Sequence, residues 1–216
     1  MIDFQKDSKR DAILKSAEHE FILKGYDGAR TMEIAQRAGV GHPLLHYHFK
    51  TKKELFKSVV QGKIWLLRKA LLSSWDDTDG DLLDKLSRTI GQHFDFVREN
   101  ADYLRFQFQE MERHQELFEE IKVMANTNMT QLFEKMQQEI SDSAARGDIH
   151  TIDARTLLED ILALNLFFLT AVPTIRKIEG LQCDDEYFKK RKQENIMLII
   201  NRITNCKTIK SGKIIP

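Results

Sequence analysis

The run TMEIAQRAGVGHPLLHYHF, Thr31–Phe49, reads as two short helices joined by a glycine turn. Ile34, Ala35 and Ala38 recur on one face of the first helix, and the small Ala35 and Ala38 allow a second helix to cross closely. Gly39 can take the positive φ that closes such a helix. Val40 is the apolar residue that seals the corner, and the second helix spans about residues 42–49. Pro43 falls in its first turn, where a missing N–H removes no helical bond.

The same reading extends in both directions. Upstream, Ser8 and Asp11 suit a helix start, and Ile13, Leu14, Ala17, Phe21 and Ile22 follow at three-to-four spacing. Gly25 suits an αL stop, with Tyr26-Asp27-Gly28 as a turn. Downstream, Thr51-Lys52-Lys53-Glu54 is a capping box that opens a fourth helix bearing Leu55, Phe56, Val59, Ile64 and Leu67. The polar run SSWDDTDGD, Ser73–Asp81, reads as a linker. Helical patterns then cover about residues 82–98, 103–112 and 115–146, the last stopped by Gly147. Asp153 caps the next helix, expected to run to Ala171 before Pro173 ends it, and Asp184 or Asp185 caps a last one from about residue 186 to 205. No repeat, phosphate-binding glycine loop or sheet-forming alternation is visible, so the expected fold is all-α with about nine helices.

The 216-residue chain is 42% hydrophobic and 31% charged, as ordinary globular proteins are. Its 3 prolines leave long helices uninterrupted and argue against a turn-rich β protein. The formal net charge is +0, yet residues 1–53 carry ten Lys/Arg against seven Asp/Glu, room for a small nucleic-acid-facing module. Cys183 and Cys206 are too few for a disulfide framework and lack metal spacing, so they read as ordinary thiols. The charged start MIDFQKDSKR shows no signal sequence, and the apolar stretch Ile161–Val172 is well short of the roughly 20 residues that span a bilayer. A cytoplasmic location with no membrane partner is expected.

Two-helix packing of this kind occurs in many compact helical proteins, but what surrounds it here is specific. T-x-x-I-A-x-x-A-G-V followed by L-x-Y-H-F-K-x-K-x-x-L-F, with F-x-x-x-G-Y-x-G upstream (Phe21, Gly25, Tyr26, Gly28), closely resembles the DNA-binding domain of the TetR family of bacterial transcriptional regulators. The resemblance covers about residues 8–68, with the helix-turn-helix at about 31–50. It implies a helical effector-binding and dimerisation domain over 69–206 and a flexible tail over 207–216. It also implies that Thr31 touches a phosphate from a helix N-terminus, that Gly41 holds the cap position of the recognition helix, and that His42, Pro43 and Leu44 lie at its front, nearest base edges. Tyr47 would meet a thymine methyl or a phosphate, while His48 and Lys52 would meet phosphates. Leu45 and Phe49 read as core. The family usually has a small hydroxyl residue where Gly41 stands and an aromatic, mostly Tyr, where His46 stands. One phosphate contact is thus in question, and His46 makes the base-facing surface more polar. His42, His46 and His48 could suggest a metal, but no acidic ligand accompanies them, and neither metal nor cofactor is expected.

The penultimate helix is apolar almost all round, so it should be buried on more than one side. Leu158, Ile161, Leu162 and Phe168, with Ile196, Ile199, Ile200 and Ile203 on the last helix, are the expected two-fold interface of a homodimer. Phe94, Phe106, Met111, Met124, Phe133 and Phe168 are candidates to line a pocket for a small apolar or amphipathic effector, although such stripes are core by default. Glu110, Glu112, Arg113 and His114 could orient a polar group or form a solvated face. The resulting expectation is no enzyme but a dimeric, ligand-responsive regulator, a repressor released from a palindromic double-stranded operator when effector binds. Its competitors are a helical regulator that senses a protein partner instead and, more remotely, an all-α metal-binding protein or enzyme.

Overall fold

A computed structural model describes residues 4–76 and 80–204, and their side chains apart from those of 4–7, 68, 70, 72–74, 76, 122–129, 131 and 132. The expected tail 207–216, Cys206 and the linker residues 77–79 lie outside it, as does the side chain of Met124. The described residues form nine α-helices and no strand: α1 Phe4–Gly28, α2 Thr31–Arg37, α3 His42–His48, α4 Lys52–Asp76, α5 Leu82–Glu99, α6 Ala101–Arg113, α7 Gln115–Arg146, α8 Ala154–Ile178 and α9 Asp185–Thr204.

Two compact units result. One takes the chain through Leu66 together with Asp102–Asn126; the other takes Leu67–Ala101 with the chain from Thr127 onward. The first unit thus holds α6 and the first part of α7 together with α1–α3 and the start of α4. In the first unit Ile13, Ala17 and Phe21 of α1, at one-turn spacing, are fully buried with Ile34, Leu45, Leu55 and Phe56. The Phe56 ring meets Phe21, Tyr26, Phe106 and Phe118 edge-on, with centroids 5.0 to 6.1 Å apart, a favoured aromatic geometry.

Gly25 breaks α1 rather than ending it in αL. Its φ of 71° and ψ of 173° belong to a region open essentially to glycine alone. The next amide, Tyr26 N–H, leaves the helical ladder and donates to the carboxylate of Glu110 on α6 at 3.1 Å. A Cβ on Gly25 would lie 3.1 Å from that carboxylate, so the kink and the buried acid fit each other. Glu110 is 2% exposed. It is neither part of a solvated face nor free to orient a ligand; it clasps the kink.

In the second unit α5, α8 and α9 pack around Leu86, Ile90, Leu157, Ile161 and Ile203. Asp81, Asp153 and Asp184 each accept the backbone N–H three residues on, capping α5, α8 and α9. The Thr156 amide holds the Asp153 carboxyl below its usual range. Pro173 does not end α8. The helix runs five residues further, to Ile178, and Gly180 (φ 74°) closes it with the Leu181 N–H on the Arg176 carbonyl at 2.8 Å. A proline inside a helix removes one ladder bond, which a helix packed on its neighbours tolerates.

α8 is thus longer than the stretch read from sequence, and by length and composition alone it could cross a membrane. Its apolarity also has a local use, since Leu157, Ile161, Phe168 and Leu169 are buried within the second unit. At its centre Asn165 is fully buried. Its amide donates to the Ile90 carbonyl at 3.1 Å and lies 3.1 Å from His93 Nδ1, and its oxygen accepts from Asn195 at 2.8 Å. This polar node ties α5, α8 and α9 at one level. Because an amide N–H faces Nδ1, the His93 proton belongs on Nε2. Burial lowers the His93 pKa from 6.5 to about 4, so the ring is neutral.

Candidate nucleic-acid interface

The turn between α2 and α3 is closed by backbone hydrogen bonds. Gly39, at φ 65°, lets its own N–H reach the Gln36 carbonyl at 3.1 Å and lets Val40 N–H reach that of Ala35 at 3.0 Å. Ile34 and Ala35 anchor α2, and Leu45 and Phe49, each 1% exposed, anchor α3. With that face fixed, Pro43, Leu44, His46 and Tyr47 are exposed, and Tyr47 keeps 58% of its surface. Gly41 occupies the N-cap of α3 and provides no side-chain bond there; Pro43 has no N–H and Leu44 N–H meets the Gly41 carbonyl at 3.0 Å, so that N-terminus presents the His42 N–H.

His42 and His48 are half-buried. The Thr31 hydroxyl and His42 Nε2 lie 3.0 Å apart, joining the start of α2 to the start of α3. The His42 and His46 rings meet edge-to-face at 4.4 Å, as residues one turn apart can. The Thr31 hydroxyl thus has His42 as one partner and keeps further hydrogen-bonding capacity, as does the unpaired backbone at the start of a helix. Among the described residues no group of three or more His, Cys, Asp and Glu gathers in metal-holding geometry.

Lys52 stands elsewhere than a purely outward role would place it. Its ammonium donates to the carbonyls of Asp27 and Ala29 at 3.1 and 3.2 Å and lies 4.8 Å from the Tyr26 ring centre. It caps the end of α1 from the start of α4. Thr51 accepts the Glu54 N–H at 3.0 Å, one half of the expected capping box, while Glu54 reaches back to the N–H of Lys50 rather than of Thr51. Two further α4 lysines share one carboxylate. Glu120 accepts from Lys53 at 2.7 Å and pairs with Lys57, and these bonds hold its carboxyl down to about 2.

Two cations outside the expected set lie beside α3. Lys50 Nζ is 5.5 Å from the Tyr47 ring centre, and the Arg10 guanidinium carbon is 5.3 Å from that of Phe49. Lys50 follows the aromatic cluster directly, so its neighbourhood was readable. Arg10 arrives from α1 through tertiary packing, for which a local pattern gives no signal.

The residues expected to line an effector pocket fall in both units. Phe106 is buried in the first unit's aromatic core, whereas Met111 is 40% exposed. Phe94 and Phe168 belong to the second unit and stack at 6.4 Å, with Arg191 over Phe168. Phe133 packs beneath the Arg155 guanidinium at 4.4 Å.

Of the expected dimer-forming residues, Leu158, Ile161, Phe168, Ile199 and Ile203 lie inside the second unit's own core, and Leu162, Ile196 and Ile200 are half-buried. The outward apolar residues are others: Phe167 (66% exposed), Ile175 and Ile178 on α8, and Met197 and Leu198 on α9. A periodic pattern marked both helices as apolar without telling which side faced the chain itself.

The model of the family described as bacterial regulatory proteins, tetR family, matches residues 13–59, spanning the supporting helix, both helices of the turn motif and the start of α4. Against the HTH-type transcriptional activator FasR of Mycolicibacterium smegmatis the chain is 32% identical over 108 residues, 48% of this chain and 47% of that protein. The chain thus matches about half the length of that relative. The HTH-type transcriptional regulator RutR of Escherichia coli is 26% identical over 195 residues, 89% of each chain. Among solved structures, AibR in complex with isovaleryl coenzyme A and operator DNA superposes with a TM-score of 0.65 over 88% of this chain and 97% of that one, at 16% identity, which speaks for the fold. Residues 13–59 thus carry a DNA-binding helix-turn-helix domain of the tetR type, and the all-α chain as a whole is similar to bacterial transcriptional regulators that carry one.

Proposed function

We propose that the protein is a homodimeric repressor that binds a palindromic operator and leaves it when a small apolar or amphipathic molecule binds its C-terminal helices. The observation that carries the reading is the exposed front of α3: Pro43, Leu44, His46 and Tyr47 face outward from a helix pinned by Leu45 and Phe49. In a helix-turn-helix that face enters the major groove. Pro43 and Leu44 offer apolar contact to thymine methyls and His46 a ring N–H to base edges. The helix N-termini at Thr31 and Gly41, together with His42, His48 and the Lys52 charge, serve phosphates.

A dimer is the natural partner for the bare α8–α9 face. Phe167 and Leu198 line a cavity of about 640 Å³ together with Arg191 and the Asp160–Arg202 ion pair, a largely apolar surface that a two-fold copy can cover. Effector control would be a population shift: a ligand that prefers the state with misplaced recognition helices lowers operator affinity by its differential affinity for the two states. Support for a ligand of this class comes from AibR, solved with isovaleryl coenzyme A.

The test is selection of duplexes from a random-sequence pool by the purified chain. A two-fold-symmetric motif, with half-site centres separated by about 34 Å or a multiple of it, is expected. Retention of duplexes without any enriched sequence would overturn the reading. A screen of acyl thioesters and amphipathic amines against the bound motif then identifies the releasing class.

A further inference from the structure

We propose that Arg10 and Lys50 are backbone-phosphate contacts that hold the recognition helix from both sides, so that the DNA footprint includes α1 as well as α2 and α3. The inference rests on the DNA-binding reading above. At the C-terminal end of α3, Tyr47, His48 and Phe49 form a strip of rings, with successive centroids 5.4 and 6.3 Å apart. A cation closes each end of the strip. Lys50 sits over Tyr47, the exposed end, and Arg10 sits over Phe49, the buried end.

Both cations are exposed, and neither side chain forms an ion pair among the described residues, the Glu54 carboxylate taking the Lys50 backbone N–H instead. This separates them from the lysines around them: Lys24 pairs with Glu20, Lys53 and Lys57 with Glu120, and Lys63 with Glu18. A ring face attracts a cation but offers no lone pair, so the N–H donors of Arg10 remain available to an acceptor. Lys50 uses one donor on the Tyr47 carbonyl, at 3.4 Å, and keeps its charge. The rings also restrict two long side chains before any partner arrives, which lowers the ordering cost of a later contact. A phosphate matches both groups. Arg10 can grip it with two parallel N–H bonds, and Lys50 can neutralise it as a point charge. Such contacts fix register on the duplex and carry no base information.

The experiment titrates the full-length protein with two probes over a range of salt: the duplex that wild type enriches from a random-sequence pool, and a mixed-sequence duplex of the same length. Arg10→Ala and Lys50→Ala should each flatten the slope of log affinity against log salt by about 0.9 per bound protomer, on both probes. The enriched sequence should stay unchanged, and Arg10→Lys should restore most of the slope. Arg10→Gln and Lys50→Gln keep much of the stem over the ring and serve if an alanine variant melts early. An unchanged slope in folded variants overturns the proposal and leaves the DNA-binding reading intact. A changed enriched sequence also overturns it, because the residue would then be reading bases. Failure of wild type to bind either probe defeats the underlying reading and this inference with it.

Discussion

Lys52 clamps the end of α1, and the proposed function also gives it a phosphate. Its ammonium donates to two carbonyls at the end of α1 and faces the Tyr26 ring, so removing it loses two charge-assisted bonds from a half-buried joint. Lys52→Ala should therefore lower stability by about 1–2 kcal/mol, read by denaturant unfolding, and should flatten the salt slope of DNA binding by about 0.9 per protomer. A loss of stability with an unchanged slope would make Lys52 a structural clamp only. His93 supports a second expectation at this scale. Its pKa falls from 6.5 to about 4 in the folded protein through burial, so between those values the unfolded chain binds more protons than the native one. Stability is then fully present above about pH 6.5 and is lost as pH falls, by about 2 kcal/mol between pH 6.5 and 5. Unfolding of wild type and His93→Gln at a series of pH values checks this: the variant should lack that slope. If both lose stability in parallel, His93 is not the group responsible.

Helices were legible in this chain to the extent that local chemistry sets them. The caps at Asp81, Asp153 and Asp184 and the stops at Gly39 and Gly147 are short-range events, and sequence spacing places them well. Gly25 shows where that ends. It was read as a terminus, but a buried carboxylate from α6, far along the chain, accepts the amide that the kink releases. Pro173 failed as a stop for a related reason, since packing along α8 outweighs one missing bond. The α3 face was legible because Leu45 and Phe49 had to be inside, leaving their neighbours out. The α8–α9 face was not, because a helix apolar all round has no polar stripe to mark its exposed side. The exposed apolar residues are the surface on which the proposed dimer rests, and that can be tested. Phe167→Glu with Leu198→Glu should leave helix content intact, as both side chains are already in solvent, and should convert a dimer to a monomer in sedimentation equilibrium. The same charges at Ile161 and Ile203, which are fully buried, should instead unfold the second unit. A wild-type chain that sediments as a monomer would sink the interface.

A two-fold molecule reads DNA as two half-sites whose spacing it cannot freely change. Each protomer carries one recognition helix, and joining the protomers turns the second binding step into an intramolecular one. Spacing therefore reports on the whole assembly where single contacts cannot. Inserting about 5 base pairs between the half-sites of the selected motif rotates one half-site by half a turn, to the far side of the duplex. Affinity should then drop to that of an isolated half-site. Inserting about 10 base pairs restores the facing and should recover affinity only so far as the molecule can stretch. The Phe167→Glu, Leu198→Glu variant supplies the comparison. As a monomer it should bind weakly and with the same affinity at all three spacings, because no linkage connects its two binding events. If wild type were equally indifferent to spacing, the recognition helices would act independently. Control by an effector would then have to work within one protomer, on the α2–α3 face itself, instead of through the separation of two.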